Sequence, residues 1–231
     1  MTYDVIILSY KRPQNIERVV NALICQDPVP NEITVWHNAP SKIAVPSVNN
    51  VVADINYTCR ARHAFGLLSK ADALLFIDDD LLLRSERVAG QLIEGLTRHP
   101  DSVVGFWGMR CGDDPHKPYT GGKRHRGEEA VTSVVLGKLH MIRRELLHHA
   151  FSRDLLPDVA GEDDIVLSAS VQMATGQPSW IVAGIERAWL DDLRDEQGND
   201  CRPDHWRRRN LTCRRMIELG WRADLWKTTQ Q

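Results

Sequence analysis

Asp78, Asp79 and Asp80 stand side by side, directly after the apolar run Ala73–Ile77. Adjacent carboxylates repel one another, so a cation is the simplest reason to gather them. Hard divalent cations take oxygen ligands and complete their shell with substrate phosphates. Mn2+ and Mg2+ both suit such a donor set. The chemistry this would serve is neutralisation of a diphosphate that leaves as a sugar–phosphate bond breaks. An acidic cluster can equally be a solvated turn or a helix cap. Its position favours chemistry here, because ligands of open parallel sheets sit outside the C-terminal ends of the strands.

A second acidic pair, Asp163 and Asp164, falls at the start of a helical stretch. There the two side chains could simply complement the helix dipole. They could also take a hydroxyl proton or stabilise a cationic transition state. Arg12 lies at a strand-to-helix turn, where backbone N–H groups and a guanidinium can meet a phosphate. Arg60 and Arg62 straddle another helix start, and one of them can be structural. His205 opens a basic terminal segment beside Trp206; a lone histidine is more often packed than a ligand. The basic, glycine-rich stretch Lys117–Arg126 could close over substrates or grip a phosphate backbone through Lys123, Arg124 and Arg126. Trp36, Trp107, Trp180 and Trp189 read as core.

The elements that must position these residues follow from apolar patterning. Strands are expected at 5–8, 33–36, 50–53, 73–77, 102–107, 131–136 and 180–183. Pro13 opens a helix with Ile16, Val19, Val20 and Leu23 on one face. Further helices are expected near 60–69, at 85–98 with Ser85 as N-cap, at 161–175 ended by Gly176, and near 204–219. Residues 112–129, rich in Gly, Pro, His and charge, read as a long mobile loop. Alternating strands and helices imply an α/β fold with a mostly parallel sheet.

The 231 residues suit one large domain, with hydrophobic residues at 42% and charged ones at 26%. Net charge is -2, but residues 201–231 carry eight Lys/Arg against three Asp/Glu. That basic end offers a face for phosphates or a polyanion, or a solvated helix surface. The five cysteines include no C-x-x-C pair, so neither a zinc site nor a disulfide framework is expected. No signal peptide and no membrane-length apolar run are visible, and a cytoplasmic setting is expected.

The order of these motifs resembles the GT-A glycosyltransferases. Ser9-Tyr10-Lys11-Arg12-Pro13 looks like their nucleotide-binding start, Trp36-His37-Asn38 like their uracil- or ribose-contacting loop, and Ile77-Asp78-Asp79-Asp80 like their D-x-D motif. With Ser102–Phe106 and Gly161-Glu162-Asp163-Asp164-Ile165 downstream, the set is most similar to the exostosin-like group. The resemblance runs over roughly residues 3–215. It implies one GT-A domain, with a nucleotide-sugar-binding half over 1–100 and an acceptor half over 101–231. It implies a nucleotide-sugar donor, a UDP-sugar above others, with Mn2+ or Mg2+. Ser9, Tyr10, Arg12, Asn38, Arg60 or Arg62, Asp78 and Asp79 would serve the donor. Asp80 and His205 would serve the metal. Asp163 and Asp164 would act on the sugar or acceptor side. Lys11 stands where that group usually has Asn, and Glu162-Asp163-Asp164 also resembles the E-D block of inverting enzymes, so retention and inversion both stay open.

For the acceptor, a glycan or lipid-linked oligosaccharide stands beside a hydroxymethylated base in DNA. The basic stretches at 117–126 and 207–215 favour DNA. A nucleotidyltransferase or a non-catalytic nucleotide-binding module are the readings from other classes.

Overall fold

The computed structural model describes residues 1–38, 44–151, 162–193 and 201–227. In chain order the strands are β1 (Tyr3–Ser9), β2 (Glu32–His37), β3 (Asn49–Val52), β4 (Ala73–Asp78), β5 (Leu81–Leu83), β6 (Val104–Gly105), β7 (Trp107–Arg110), β8 (Lys123–Arg126), β9 (Ala130–Thr132), β10 (Val134–Val135), β11 (Leu139–Arg143), β12 (Ser179–Ile181) and β13 (Leu190–Asp192). The α-helices are α1 (Pro13–Ile24), α2 (Arg60–Gly66), α3 (Val88–Arg98), α4 (Asp163–Thr175) and α5 (His205–Glu218).

Eight strands form the main sheet in the order β3-β2-β1-β4-β11-β6-β12-β9. The β1–β2, β2–β3 and β1–β4 pairs are parallel, whereas β11 runs antiparallel to β4 and to β6. The α/β fold is therefore mixed, with a parallel N-terminal half. Alternation along the central strands feeds two buried layers. Val5 and Ile7 of β1 and Leu75 and Ile77 of β4 face the apolar sides of α1 and α3. Ile6, Leu74 and Phe76 face the other way, toward Leu147, Leu167 and Val171. Pro13 starts α1, as expected, and Gly176, left-handed at φ 74°, ends α4. Every residue of α4 from Asp163 to Gln172 is buried, as befits a helix packed on all sides.

Several expectations need correcting. The helix expected at 85–98 begins at Val88, and Ser85 does not cap it. The buried Gln26 does so from outside, its Oε1 accepting the Ala89 N–H at 3.0 Å while its Nε2 donates to Ser85 O. The strands expected at 102–107 and 131–136 each split in two. Each leaves the main sheet at one residue, Phe106 or Ser133, and continues as β7 or β10 in a small sheet ordered β10-β7-β8. Ser133 stabilises its corner, since its hydroxyl accepts the Cys111 N–H and donates to Ala223 O. The stretch 112–129 is not a featureless loop, because Lys123–Arg126 form β8 against β7. The helix near 60–69 stops at Gly66, and β5, β11 and β13 had no counterpart in the patterning. Gly161, part of a motif named above, lies outside the described residues. Among the described residues no helix is long and apolar enough to cross a membrane.

Candidate active site

The chain leaves β1 toward β2 on one side and later returns as β4 on the other, so the sheet order reverses between β1 and β4. Loops diverge at such a switch point and leave a crevice beyond the strand ends. Ser9–Arg12 and Asp78–Asp80 occupy the two lips of that crevice. Asp79 joins them: one carboxylate oxygen accepts the Tyr10 N–H at 2.7 Å and the other the Arg12 guanidinium at 3.0 Å. Lys11, between those donors, takes φ 66°, a left-handed conformation that costs a non-glycine residue of order 1 kcal/mol. The bend lets both neighbours converge on the same side chain. Burial pushes Asp79 up to about 7 in spite of these two donors.

Each of the other two aspartates also has a cation. Arg62 is 2% exposed and bridges two carboxylates: Nη1 meets Asp78 at 2.6 Å and Nε meets Asp163 at 2.8 Å. Burial pushes Asp78 upward, opposed by Arg62 and helped by Asp80. Asp80 lies 2.9 Å from the Lys138 ammonium and 3.5 Å from Arg12. Lys138 also donates to Asp192 at 2.8 Å. Lys138 reaches this point because β11 runs antiparallel to β4, which sets its leading turn beside the end of β4. Asp78 N–H bonds Lys138 O at 3.1 Å.

That turn, Gly137-Lys138, joins the triplet to the second acidic group. Gly137 N–H donates to Asp164 at 3.3 Å. A Cβ at Gly137 would lie 2.6 Å from Arg62 Nη2, so the guanidinium passes where only glycine leaves room. Arg209 of α5 binds Glu162 at 3.0 Å and Asp164 at 2.7 Å, across 47 and 45 residues of chain. Burial raises Asp164, but Arg209 and the N–H groups of Gly137 and Ile165 outweigh it, leaving the carboxyl below its ordinary value. Glu162 ends up raised, since burial exceeds the effect of Arg209. Behind Arg62, His63 and His140 are each 1% exposed, with their Nε2 atoms 3.2 Å apart. His140 Nδ1 lies 3.1 Å from Gly137 O, which assigns the proton to Nδ1 and makes His63 the donor between the rings. Burial and Arg62 hold both imidazoles well below their ordinary value.

The crevice thus brings together Ser9, Tyr10, Arg12, Arg62, Asp78, Asp79, Asp80, Asp163 and Asp164. Arg60 turns elsewhere, donating to Ala150 O at 3.1 Å and lying 5.0 Å over the Phe151 ring. Asn38 is 2% exposed and saturated internally. Its amide donates to Asn56 and Thr58 O, and its oxygen accepts from Tyr57 N–H and Trp36. It shapes the loop over 54–58 and has no donor left for a ligand. His205 opens α5 with its ring 4.7 Å from Trp206. Lys123, Arg124 and Arg126 lie along the edge strand β8. Arg124 covers the exposed Trp206 at 5.5 Å, and Tyr119 stands between Trp206 and Arg209. A continuous stack therefore links the basic strand to Asp164. Lys138, Asp192, Arg209, His63 and His140 were not foreseen, and Glu162 was noted only as part of an E-D block. The charge excess of the terminal segment was the only hint, and it pointed at Arg209.

A divalent cation fits this site in kind. Asp80 and Asp192 present carboxylate oxygens to one positive group, an all-oxygen anionic donor set of the type hard cations take. Among the described residues no three His, Cys, Asp or Glu gather to hold a metal alone. The remaining ligands would be donor phosphates and water.

No protein-family description and no curated protein matches the sequence. Solved structures do match. GalNAc-T7, solved with UDP, GalNAc and Mn2+, superposes with a TM-score of 0.63 at 14% identity, over 79% of this chain and 42% of its own. The mannosyltransferase PcManGT of Pyrobaculum calidifontis, in complex with GDP-Man and Mn2+, gives 0.55 at 17% identity, over 81% and 58%. The chain spans less than two thirds of either protein. At such identities the likeness shows the fold, which is that of the GT-A glycosyltransferases.

Proposed function

We propose that this protein transfers a sugar from a nucleotide-sugar, a UDP-sugar first among them, to an acceptor hydroxyl with the help of Mn2+ or Mg2+. The observation that carries this reading is the aspartate triplet at the switch point of the sheet, facing Asp163 and Asp164 across the shared Arg62. That both solved neighbours hold a nucleoside diphosphate compound and Mn2+ supports it. Within the fold, the exostosin-like affinity rests on motif order alone.

Ser9, Tyr10 and Arg12 border the nucleotide, and Asp79 fixes their loop. Asp80, joined by Asp192, would hold the cation. When bound, the cation neutralises charge developing on the leaving diphosphate. Arg12 and Arg62 add fixed positive charge that needs no reorganisation. As the sugar C1–O bond to the diphosphate breaks, the acceptor oxygen bonds to C1 and its O–H bond breaks. Asp163 takes that proton. Asp164, held low by Arg209, is a poor base and instead anchors α4 to α5. The basic strand β8, beside Trp206, favours an anionic acceptor, with hydroxymethylated DNA as the specific candidate over a neutral glycan.

The test is UDP release from a panel of UDP-sugars with Mn2+, with and without hydroxymethylated DNA. The expected result is release with one sugar, stimulated by DNA, abolished by EDTA and lost in Asp80→Ala. Metal-dependent release that ignores DNA returns the acceptor to glycans. Pyrophosphate in place of UDP identifies a nucleotidyltransferase. An Asp80→Ala protein that keeps full turnover without metal refutes the metal role.

A further inference from the structure

We infer that Lys138 is a built-in counter-ion that occupies the divalent-cation position at Asp80 and Asp192, and that the metal binds by displacing it. The inference rests on the metal-dependent reading above and concerns how that metal site is controlled.

The ammonium lies 2.9 Å from Asp80 Oδ1 and 2.8 Å from Asp192 Oδ1. Those carboxylates come from separate elements, the loop after β4 and the end of β13, and they converge on the one positive atom. A hard cation seeking the same two oxygens meets Lys138 first.

The lysine backbone cannot yield. Its carbonyl accepts the Asp78 N–H, and Gly137 beside it is fixed by Asp164 and His140. The side chain can, because it is a flexible four-carbon stem with a compact head. At 21% exposure it has an open side to swing toward. Exchange is therefore a rotamer change and leaves the loop in place. Two charges outcompete one for a pair of carboxylates, so the metal wins at sufficient concentration. A donor diphosphate entering the crevice adds negative charge that can take up the displaced ammonium. Binding of metal and donor would then reinforce one another.

A purely structural salt bridge makes the opposite forecast. Removing Lys138 would let Asp80 and Asp192 part, and metal affinity would fall or stay put. The experiment titrates Mn2+ into nucleotide-free protein and follows loss of the free-ion EPR signal, comparing wild type, Lys138→Met, Lys138→Arg and Lys138→Met/Asp192→Asn. Lys138→Met is expected to bind Mn2+ at least about tenfold more tightly, the scale set by one unit charge a few ångströms from a divalent ion. Lys138→Arg keeps the charge with a two-pronged grip and is expected to bind more weakly than wild type. Asp192→Asn should cancel the gain of Lys138→Met. Equal or weaker binding by Lys138→Met overturns the inference and leaves the enzyme reading intact. Should Lys138→Met fail to fold, Lys138→Arg decides alone, and affinity equal to or above wild type counts against the inference. Absence of Mn2+ binding in every form overturns the inference together with the metal-dependent reading.

Discussion

Replacing Arg62 by methionine keeps an unbranched apolar stem and removes the guanidinium shared by Asp78 and Asp163. Breaking a buried ion pair by deleting one partner costs about 3–5 kcal/mol, because the other charge stays behind. The two carboxylates here are unequal. Asp78 is 33% exposed, so water takes part of its burden, whereas Asp163 at 5% gets little such relief. The low end applies, about 3 kcal/mol, or a fall in Tm of about 6–12 °C for a domain of this size. Urea unfolding at pH 7.5, with an unchanged m-value, measures it. The pH dependence carries a second check. Arg62 opposes the upward shift of Asp78, so without it the carboxyl rises further. The folded variant then binds more protons than the unfolded chain between the ordinary carboxylate value and the raised one. Its stability falls as pH climbs through that window, and its deficit against wild type shrinks toward pH 5. Adding Asp163→Asn should recover part of the loss. A deficit below about 1 kcal/mol, or one indifferent to pH, would refute the account of Arg62 as the shared cation.

Two further outcomes follow from buried polar groups. Gln26→Leu removes the outside cap of α3 and should cost about 1 kcal/mol in urea, with faster amide exchange at Ala89. The His63–His140 pair is held neutral, so the folded state binds fewer protons than the unfolded chain below the ordinary histidine value. Stability is complete above that value and is lost as pH falls, by about 1.4 kcal/mol per pH unit for each histidine still neutral. His140→Phe should roughly halve this histidine contribution to the slope, measured by unfolding at pH 7.5, 6.5 and 5.5; unchanged slopes would show that the pair does not titrate as described.

The crevice around Asp78–Asp80 was legible because its signals are local. An apolar run that stops at three aspartates, and a proline that opens a helix, each sit within ten residues of chain. What escaped reading depends on distant partners. Nothing near Lys138 marks it, because its role comes from β11 running back along β4, and Leu139–Arg143 is too short and too fully buried to alternate. Arg209 looked like one of many surface arginines, yet its carboxylates lie more than forty residues away. Phe106 hid the break between β6 and β7 because an apolar residue continues the strand pattern through the corner. β8 read as loop because Lys123–Arg126 on an edge are all charged or polar and offer no apolar face to alternate. Asn38 shows the converse: its type and place suited a ligand, but its side-chain amide is already fully engaged within the protein.

The paired corners at Phe106 and Ser133 bear on how this chain tolerates changes in length. A residue inserted in a continuous strand turns every later side chain to the opposite face. Here both strands end their main-sheet pairing at the corner, and everything from residue 107 to 129 returns before β9 resumes. An insertion in the turn between β7 and β8 changes the reach of the basic hairpin and leaves the β7–β10 register in place. The alignment of β1, β4 and β11, on which the spacing of the carboxylates and their cations depends, is untouched. The fold can therefore lengthen or shorten the hairpin nearest Trp206 while the crevice at Asp78–Asp80 keeps its dimensions.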